Sequence, residues 1–317
     1  IYNNITSQIQ NNGYFSPKVH IQRGVRQGCP LSPILYTLIV ETLAQAIKLD
    51  QTIKGYPIGK RQIKISQYAD DTAVILQDKS SYTEAMRVIS RFEKATGSTI
   101  NKHKTEGLYI CAKKNPYDNM NVKWKNGTNE GLKILGIHFF TDYNVTIDFN
   151  YRQKIKTLKQ VLQRWGQRAL SKKGKALVIN ALALSKLYHI AHTLPPPQWA
   201  VQEVNKTIGD FLWNTEANSL IKLKHLCRPT WEGGLALKNF TTQATALRLH
   251  LLAHVFNKST HDTWTTFAKY WIGTHLKTIK PDMWQHLVDN NTPQNLILKD
   301  DDPPFYTDSI TYIKKHT

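Results

Sequence analysis

The chain has 317 residues, with 42 Lys and Arg against 23 Asp and Glu, for a formal net charge of +19. That length allows about two domains and a sizeable core, and the apolar and charged fractions exclude a disordered chain. The charge points to a polyanionic partner, either nucleic acid or an acidic membrane face. No apolar run approaches the roughly 18 residues of a membrane span; the most apolar region, 176–187, is broken by Asn180, Ser185 and Lys186. Cys29, Cys111 and Cys227 lie far apart without a C-x-x-C pair, which argues against a cysteine zinc site and for a reducing compartment. No signal peptide is visible. Because the first residue is Ile1, the sequence is expected to be a piece of a longer protein.

Residues 1–22 are polar and rich in Asn and Gln, with one short strand expected over 18–21. The loop Arg23-Gly24-Val25-Arg26-Gln27-Gly28-Cys29-Pro30-Leu31-Ser32-Pro33 follows. Ser32 then Pro33 reads as a helix start, a hydroxyl cap before proline at the first helical position. The helix is predicted over 33–48, with Leu35, Leu38, Ile39, Leu43 and Ala46 on its buried face. After a turn at Gly55 and Pro57, the apolar runs 63–68 and 72–76 enclose Ala69-Asp70-Asp71 and predict a β-hairpin. Helical spacing through Ala85, Val88, Ile89 and Phe92 predicts a helix over 80–95, stopped by Gly97. Further strands are expected over 108–112 and 132–140.

The character changes near Tyr151. From Phe149 to Gln202 there is no acidic residue, and ten Lys and Arg fall between Tyr151 and Thr193. Ile155, Leu158, Leu162, Trp165 and Ala169 follow helical spacing, so one face is apolar and the rest basic. Gly174 is taken to separate this helix from a second over 175–191, and Pro195-Pro196-Pro197 to end the pair. The remainder reads as mostly helical, with a turn at Gly233-Gly234. Trp264, Trp271 and Trp284 could stack on bases, but their spacing suits helix-core positions better. His250, His254 and His261 show no ligand spacing, and no metal is assigned to them.

Adjacent carboxylates in a hairpin turn repel when partly desolvated, and a divalent ion relieves that cost. Magnesium prefers carboxylate and phosphate oxygens, and paired ions can clamp an in-line phosphoryl displacement. An Asp-Asp pair alone is weak evidence, since many lie in solvated turns. The company of this pair is more specific. Tyr68-Ala69-Asp70-Asp71, about 40 residues after the Arg23–Pro33 block, resembles the palm of reverse transcriptases. The wording Arg-Gln-Gly-Cys-Pro-Leu-Ser-Pro is similar to that of non-LTR retrotransposon (LINE-type) enzymes. Group II intron and retroviral enzymes usually carry proline where this chain has Arg26, which disfavours a maturase-like enzyme.

The resemblance implies an α+β fold: a partial palm of antiparallel sheet with helices over 1–148, a basic helical thumb over 149–197 and a helical C-terminal extension over 198–317. It implies RNA-directed DNA polymerisation, with an RNA template, a DNA primer, deoxynucleoside triphosphates and Mg2+. Asp70 and Asp71 would hold the metal. Gln27, Gly28, Arg23 and Tyr68 would line the nucleotide pocket. Lys104, in a stretch resembling the next palm motif (residues 92–105), would protonate the leaving group. Leu135, Gly136 and Ile137 look like the primer-grip hairpin, where glycine lets the backbone come close. Trp165, Gly174, Phe211-Leu212-Trp213 and Gly233-Gly234-Leu235 match the softer pattern that follows the palm. Lys154, Lys156, Lys159, Arg164, Arg168, Lys172, Lys173 and Lys175 would grip a nucleic-acid backbone, independently of sequence and weakening with salt; the plain alternative is a solvated face. Cys29 reads as a small buried residue. No membrane partner or obligate protein partner is implied, and the family suggests a ribonucleoprotein of nucleus and cytoplasm.

One family element is missing. The first acidic residue is Glu41, whereas the family carries a third metal carboxylate on a strand before the Gln-Gly block. These 317 residues are therefore expected to be inactive alone, with one sheet edge open. The fingers, endonuclease and terminal Cys-His segment of full LINE proteins are not visible either. The rival expectation is a truncated transposon remnant that binds nucleic acid without catalysis.

Overall fold

The computed structural model describes residues 4–21, 24–58, 61–110, 122–214, 221–256 and 263–276. The chain forms two compact units, one of residues 1–106 and 114–123, the other of residues 107–113 and 124–317.

The first unit opens with nested antiparallel pairs. β1 (Thr6–Ser7) and β2 (Gln10–Asn11) run out, and β3 (Tyr14–Phe15) and β4 (Val19–His20) return against β2 and β1 respectively. The strand expected over 18–21 is thus the last of four short ones. α1 (Leu31–Leu49) begins earlier than expected, after Pro30, and has no side-chain cap. The Ser32 hydroxyl instead donates to the Arg26 carbonyl at 2.5 Å, closing the preceding loop. Burial on α1 concentrates in its second half, at Leu43, Ala44 and Ile47. Leu38, Ile39 and Ala46, expected inside, are exposed, because α1 packs on its neighbours along a stripe rotated from the one its leucines suggest.

β5 (Tyr56–Ile58) pairs with β6 (Arg61–Ile63), and β7 (Ile65–Tyr68) with β8 (Asp71–Val74). α2 (Lys79–Thr96) is fixed at both ends. The Asp78 carboxylate accepts from Ser81 N at 2.7 Å, and Gly97, at φ +71°, donates its N–H to the Glu93 carbonyl. The unit's core joins Leu43, Ala44 and Ile47 of α1, Ile53, Ile65 of β7, and Ala85, Val88 and Ile89 of α2. Lys64, buried beside it, donates its ammonium to the carbonyls of Lys48 (3.0 Å) and Asp50 (2.7 Å), satisfying the C-terminal end of α1.

The strands expected over 108–112 and 132–140 are shorter than drawn. β9 (Glu106–Leu108) pairs with β10 (Lys123–Lys125), and β11 (Leu132–Ile134) with β12 (Ile137–Phe139); residues 111 and 112 lie outside the described residues. Among the described residues every sheet is two-stranded. The described strands of the expected palm are therefore separate antiparallel pairs, each strand having only two to four residues.

In the second unit α3 (Tyr143–Gly166) is capped by Asp142, whose carboxylate accepts from Asn144 N at 2.7 Å. The helix runs through residue 148, so the expected palm–thumb junction is no break in the backbone. Ala169, expected on the apolar stripe, is exposed past the helix end. Gly174 is not a separator: α4 (Lys172–Val178) starts before it, because the Ser171 hydroxyl accepts from Gly174 N at 3.2 Å. A π-helical turn (Ile179–Ala183) then leads into α5 (Ser185–Thr193). α6 (Gln198–Trp213), α7 (Leu223–Leu226), α8 (Phe240–Phe256) and α9 (Thr263–Leu276) follow. The core is a helical bundle in which Tyr151, Ile155, Leu158 and Leu162 of α3 meet Leu187 and Ile190 of α5 and Val204, Ile208 and Leu212 of α6. Trp264 and Trp271 are half-buried on α9, with Trp264 stacked on His254 at 5.7 Å; Trp284 lies outside the described residues.

Candidate active site

In the first unit, Tyr68 and Asp71 are opposite one another in the β7–β8 register, leaving Ala69 and Asp70 as a two-residue loop. Cross-strand partners share a face. Ile65 and Val74 face the core side, so Tyr68 and Asp71, with Ser66 and Ala73, face the other. Both aspartates are exposed and Tyr68 is 69% exposed. Ala69 adopts φ +52°, a left-handed conformation costly for a residue with a Cβ. The Tyr36 hydroxyl of α1 reaches the Ala69 carbonyl at 3.5 Å. Burial, and after it the negative charge of Asp70, push the Tyr36 phenol above its ordinary range. Sequence reasoning missed Tyr36; its place three residues after Pro33 carried no signal that it would meet the turn.

The loop ahead of α1 presents Gln27 and Gly28, both exposed, with Gly28 at φ +82°. Its far side is held by Ser32 N to Cys29 O at 3.1 Å and by the Ser32 hydroxyl on Arg26 O. Because α1 packs on β7, this loop and the aspartate turn are carried by elements of one core. Arg23 lies outside the described residues, and Cys29 is half-buried. Lys104 sits in a turn closed by Asn101, whose carbonyl (3.0 Å) and side-chain oxygen (3.2 Å) both accept from Lys104 N. That fixes its backbone and leaves the ammonium exposed.

The Leu135-Gly136-Ile137 segment belongs to the second unit. Leu135 (φ +46°) and Gly136 (φ +85°) form the loop between β11 and β12. A Cβ on Gly136 would come no nearer than 3.6 Å to His189 Nε2. Within the protein, glycine is therefore required there by its backbone angle rather than by a crowded neighbour. Three side chains hold this hairpin. In a two-residue hairpin the pair beside the loop is hydrogen-bonded and the next pair is not. His138 and Phe140 consequently turn their peptide groups outward. Asn150 of α3 accepts from His138 N at 3.0 Å and donates to His138 O at 2.7 Å. Thr146, one turn earlier, accepts from Phe140 N at 2.9 Å. His189 of α5 bonds the Leu135 carbonyl at 2.8 Å. Sequence reasoning missed Asn150, whose partners lie in a separate strand.

The basic residues divide. Lys175 is 4% exposed and donates to Phe211 O at 2.8 Å and to Asn214 Oδ1. Lys172 donates to Leu212 O and lies over the Trp213 ring. Both neutralise the C-terminal carbonyls of α6, so neither presents a free ammonium to a backbone phosphate, contrary to expectation. Lys159 pairs with Glu203, and Arg168 covers Trp165 at 4.3 Å. Lys156, Arg164 and Lys173 are exposed and Lys154 half-buried.

Among the described residues no cluster of three or more His, Cys, Asp or Glu has metal-site geometry. The donor set at the turn is two exposed carboxylates, which fits a hard divalent cation that completes its shell with water and phosphate oxygens. No helix among the described residues is long and apolar enough to cross a membrane.

Residues 2–139 match the family model described as reverse transcriptase (RNA-dependent DNA polymerase). Over those residues the chain is similar to the reverse transcriptases of non-LTR retrotransposons. It is 28% identical over 255 residues to the "Transposon TX1 uncharacterized 149 kDa protein" of Xenopus laevis, covering 78% of this chain and 19% of that protein. It is 27% identical over 95 residues to the "Retrovirus-related Pol polyprotein from type-1 retrotransposable element R2" of Popillia japonica, covering 30% of this chain and 13% of that protein. The chain thus spans less than a fifth of the length of these relatives. The match to the reverse transcriptase model spans both aspartates, the Gln27–Gly28 loop and Lys104, and ends at the last residue of β12.

Proposed function

We propose that this chain is the later palm and the thumb of an RNA-directed DNA polymerase that extends a DNA primer on an RNA template. The observation that carries this reading is the β7–β8 turn, with Asp70 and Asp71 exposed at its tip and the Gln27–Gly28 loop borne on the helix that packs against it. In the reaction, a primer hydroxyl oxygen bonds to the α-phosphorus of a deoxynucleoside triphosphate, its proton leaves to solvent, and the bond to the pyrophosphate oxygen breaks. Asp70 and Asp71 would hold Mg2+, which would neutralise charge developing on the phosphoryl oxygens. Gln27 and Gly28 bind the nucleotide, with Arg23 near its phosphates and the Tyr68 ring near the primer end. The Lys104 ammonium passes a proton to the departing pyrophosphate. The Leu135–Ile137 turn positions the primer, and Lys154, Lys156, Arg164 and Lys173 meet the backbone. The division into palm (1–148), thumb (149–197) and extension (198–317) belongs to the same reading, as does work inside the cell as a ribonucleoprotein.

Polymerases of this kind draw on a third carboxylate, and no Asp or Glu precedes Glu41 in these 317 residues. That observation favours a second reading for the chain by itself: it binds nucleic acid and extends primers little or not at all. A primer-extension assay with the 317-residue chain tests this. Salt-sensitive primer–template binding without extension is expected; extension by the unaided chain refutes the inactivity. No binding at low salt refutes both the thumb assignment and the binding reading.

A further inference from the structure

Residues 221–238 hold a tryptophan out in solvent. α7 leads to Arg228 and Pro229, a 3-10 turn covers Thr230–Glu232, and the chain returns through Gly233 and Gly234. The excursion is hydrogen-bonded throughout. Gly233 N bonds Thr230 O (3.2 Å), Gly234 N bonds Pro229 O (3.0 Å) and Ala236 N bonds Arg228 O (2.9 Å). Leu235 N and Leu237 N both bond Leu226 O, at 2.9 and 3.2 Å, and buried Leu226 and Leu237 root the loop in the helical core. A Cβ on Gly234 would lie 1.9 Å from the Arg228 carbonyl oxygen, so the two legs touch there and only glycine fits. A further clamp comes from the π-helical turn, a feature frequent at functional sites. Asn180 within it donates to Ala236 O at 3.0 Å and accepts from Lys238 N at 2.9 Å. At the tip, Trp231 is 84% exposed.

A rigid loop that keeps an indole in water forgoes the stabilisation of burying it, and the surroundings indicate what the indole meets. Lys222, Lys224, Arg228 and Lys238 are all exposed, against one acid, Glu232. A protein interface would need a broader apolar patch with few lysines. One flat aromatic among cations suits an unpaired base and its phosphates; a duplex offers no base face to stack on. We propose that the Trp231 loop is a stacking platform for single-stranded nucleic acid, with Arg228 meeting an adjacent phosphate. This goes beyond the polymerase reading and needs no metal at Asp70 and Asp71, so the two can fail separately.

The test uses the 317-residue chain and labelled single strands of about 15 nucleotides, one DNA and one RNA of the same sequence, with a duplex control. Trp231→Ala should weaken single-strand binding about tenfold, leave the slope of log affinity against log salt unchanged, and leave the melting temperature unchanged. Trp231→Phe should restore most of the affinity. Arg228→Ala should make the slope shallower by about 0.7. Loss on the RNA or the DNA strand supports the platform and says which strand it serves. Unchanged affinity in Trp231→Ala, no rescue by Phe, or an equal loss on duplex overturns it. A change in the mass of the assembled chain with oligonucleotide affinity intact also overturns it, in favour of a protein contact.

Discussion

Replacing Asn150 by Ala should release the β11–β12 hairpin from the helical bundle. Asn150 is 2% exposed and bonds both outward peptide groups of His138, at 3.0 and 2.7 Å, while also donating to Thr146 O at 2.7 Å. The substitution leaves one N–H and one carbonyl of β12 without those partners. Each such loss costs roughly 1–3 kcal/mol, and alanine returns about half a kcal/mol through helix propensity, for a net cost of about 1.5–5.5 kcal/mol. Asn150→Asp keeps the acceptor for His138 N but sets a buried carboxylate oxygen against the carbonyls of His138 and Thr146, so it should cost at least as much as Asn150→Ala. Amide hydrogen exchange is the direct assay, since it reports local opening. Exchange at His138 and Phe140 should accelerate by about tenfold or more in Asn150→Ala, with a parallel shift in the urea unfolding of the helical unit. Unchanged exchange at both amides would refute the argument that α3 satisfies the outer edge of β12.

Other consequences divide structural from functional charge. Lys175→Met should destabilise the helical unit by about 1–3 kcal/mol in urea yet leave the salt slope of nucleic-acid binding unchanged. Lys156→Ala should cost no more than about 0.5 kcal/mol and reduce that slope on a duplex by about 0.9. Ala69→Gly should stabilise the aspartate turn by about 0.5–1 kcal/mol, because glycine relieves the strain at φ +52°; Ala69→Val should destabilise it, and urea unfolding distinguishes them. The Asp78 carboxylate is held below the usual aspartate range by its hydrogen bonds from Ser81. Its contribution to α2 is complete above the unfolded-state value and is lost as pH falls through the depressed folded value. Asp78→Asn should remove that acid-side loss while keeping a cap, as helical circular dichroism against pH would record.

What the sequence disclosed depended on whether neighbours along the chain or distant partners set the outcome. The β7–β8 turn was readable because two apolar runs flank two carboxylates, and α2 because its apolar residues keep helical spacing up to the stop at Gly97. The β11–β12 hairpin was legible only through its resemblance to a primer grip, since the pattern of 132–140 by itself read as strand. The fate of the lysines was not readable. Lys172 and Lys175 share the composition of Lys156, and only the end of α6, some 36–40 residues later in the chain, makes them caps. Asn150 and Asn180 were hidden for the same reason, since each satisfies backbone groups of a distant segment. Trp231 was passed over beside its two glycines because exposure is decided by the fold of residues 226–237, not by the local pattern.

The central claim is that Asp70 and Asp71 are the metal carboxylates of a polymerase. Primer extension tests it most directly, with this chain joined to an upstream segment that bears an aspartate strand from a related reverse transcriptase. The account predicts Mg2+-dependent incorporation of deoxynucleotides that Asp70→Asn and Asp71→Asn each abolish, while both variants keep primer–template affinity. Undiminished extension by either variant would contradict it.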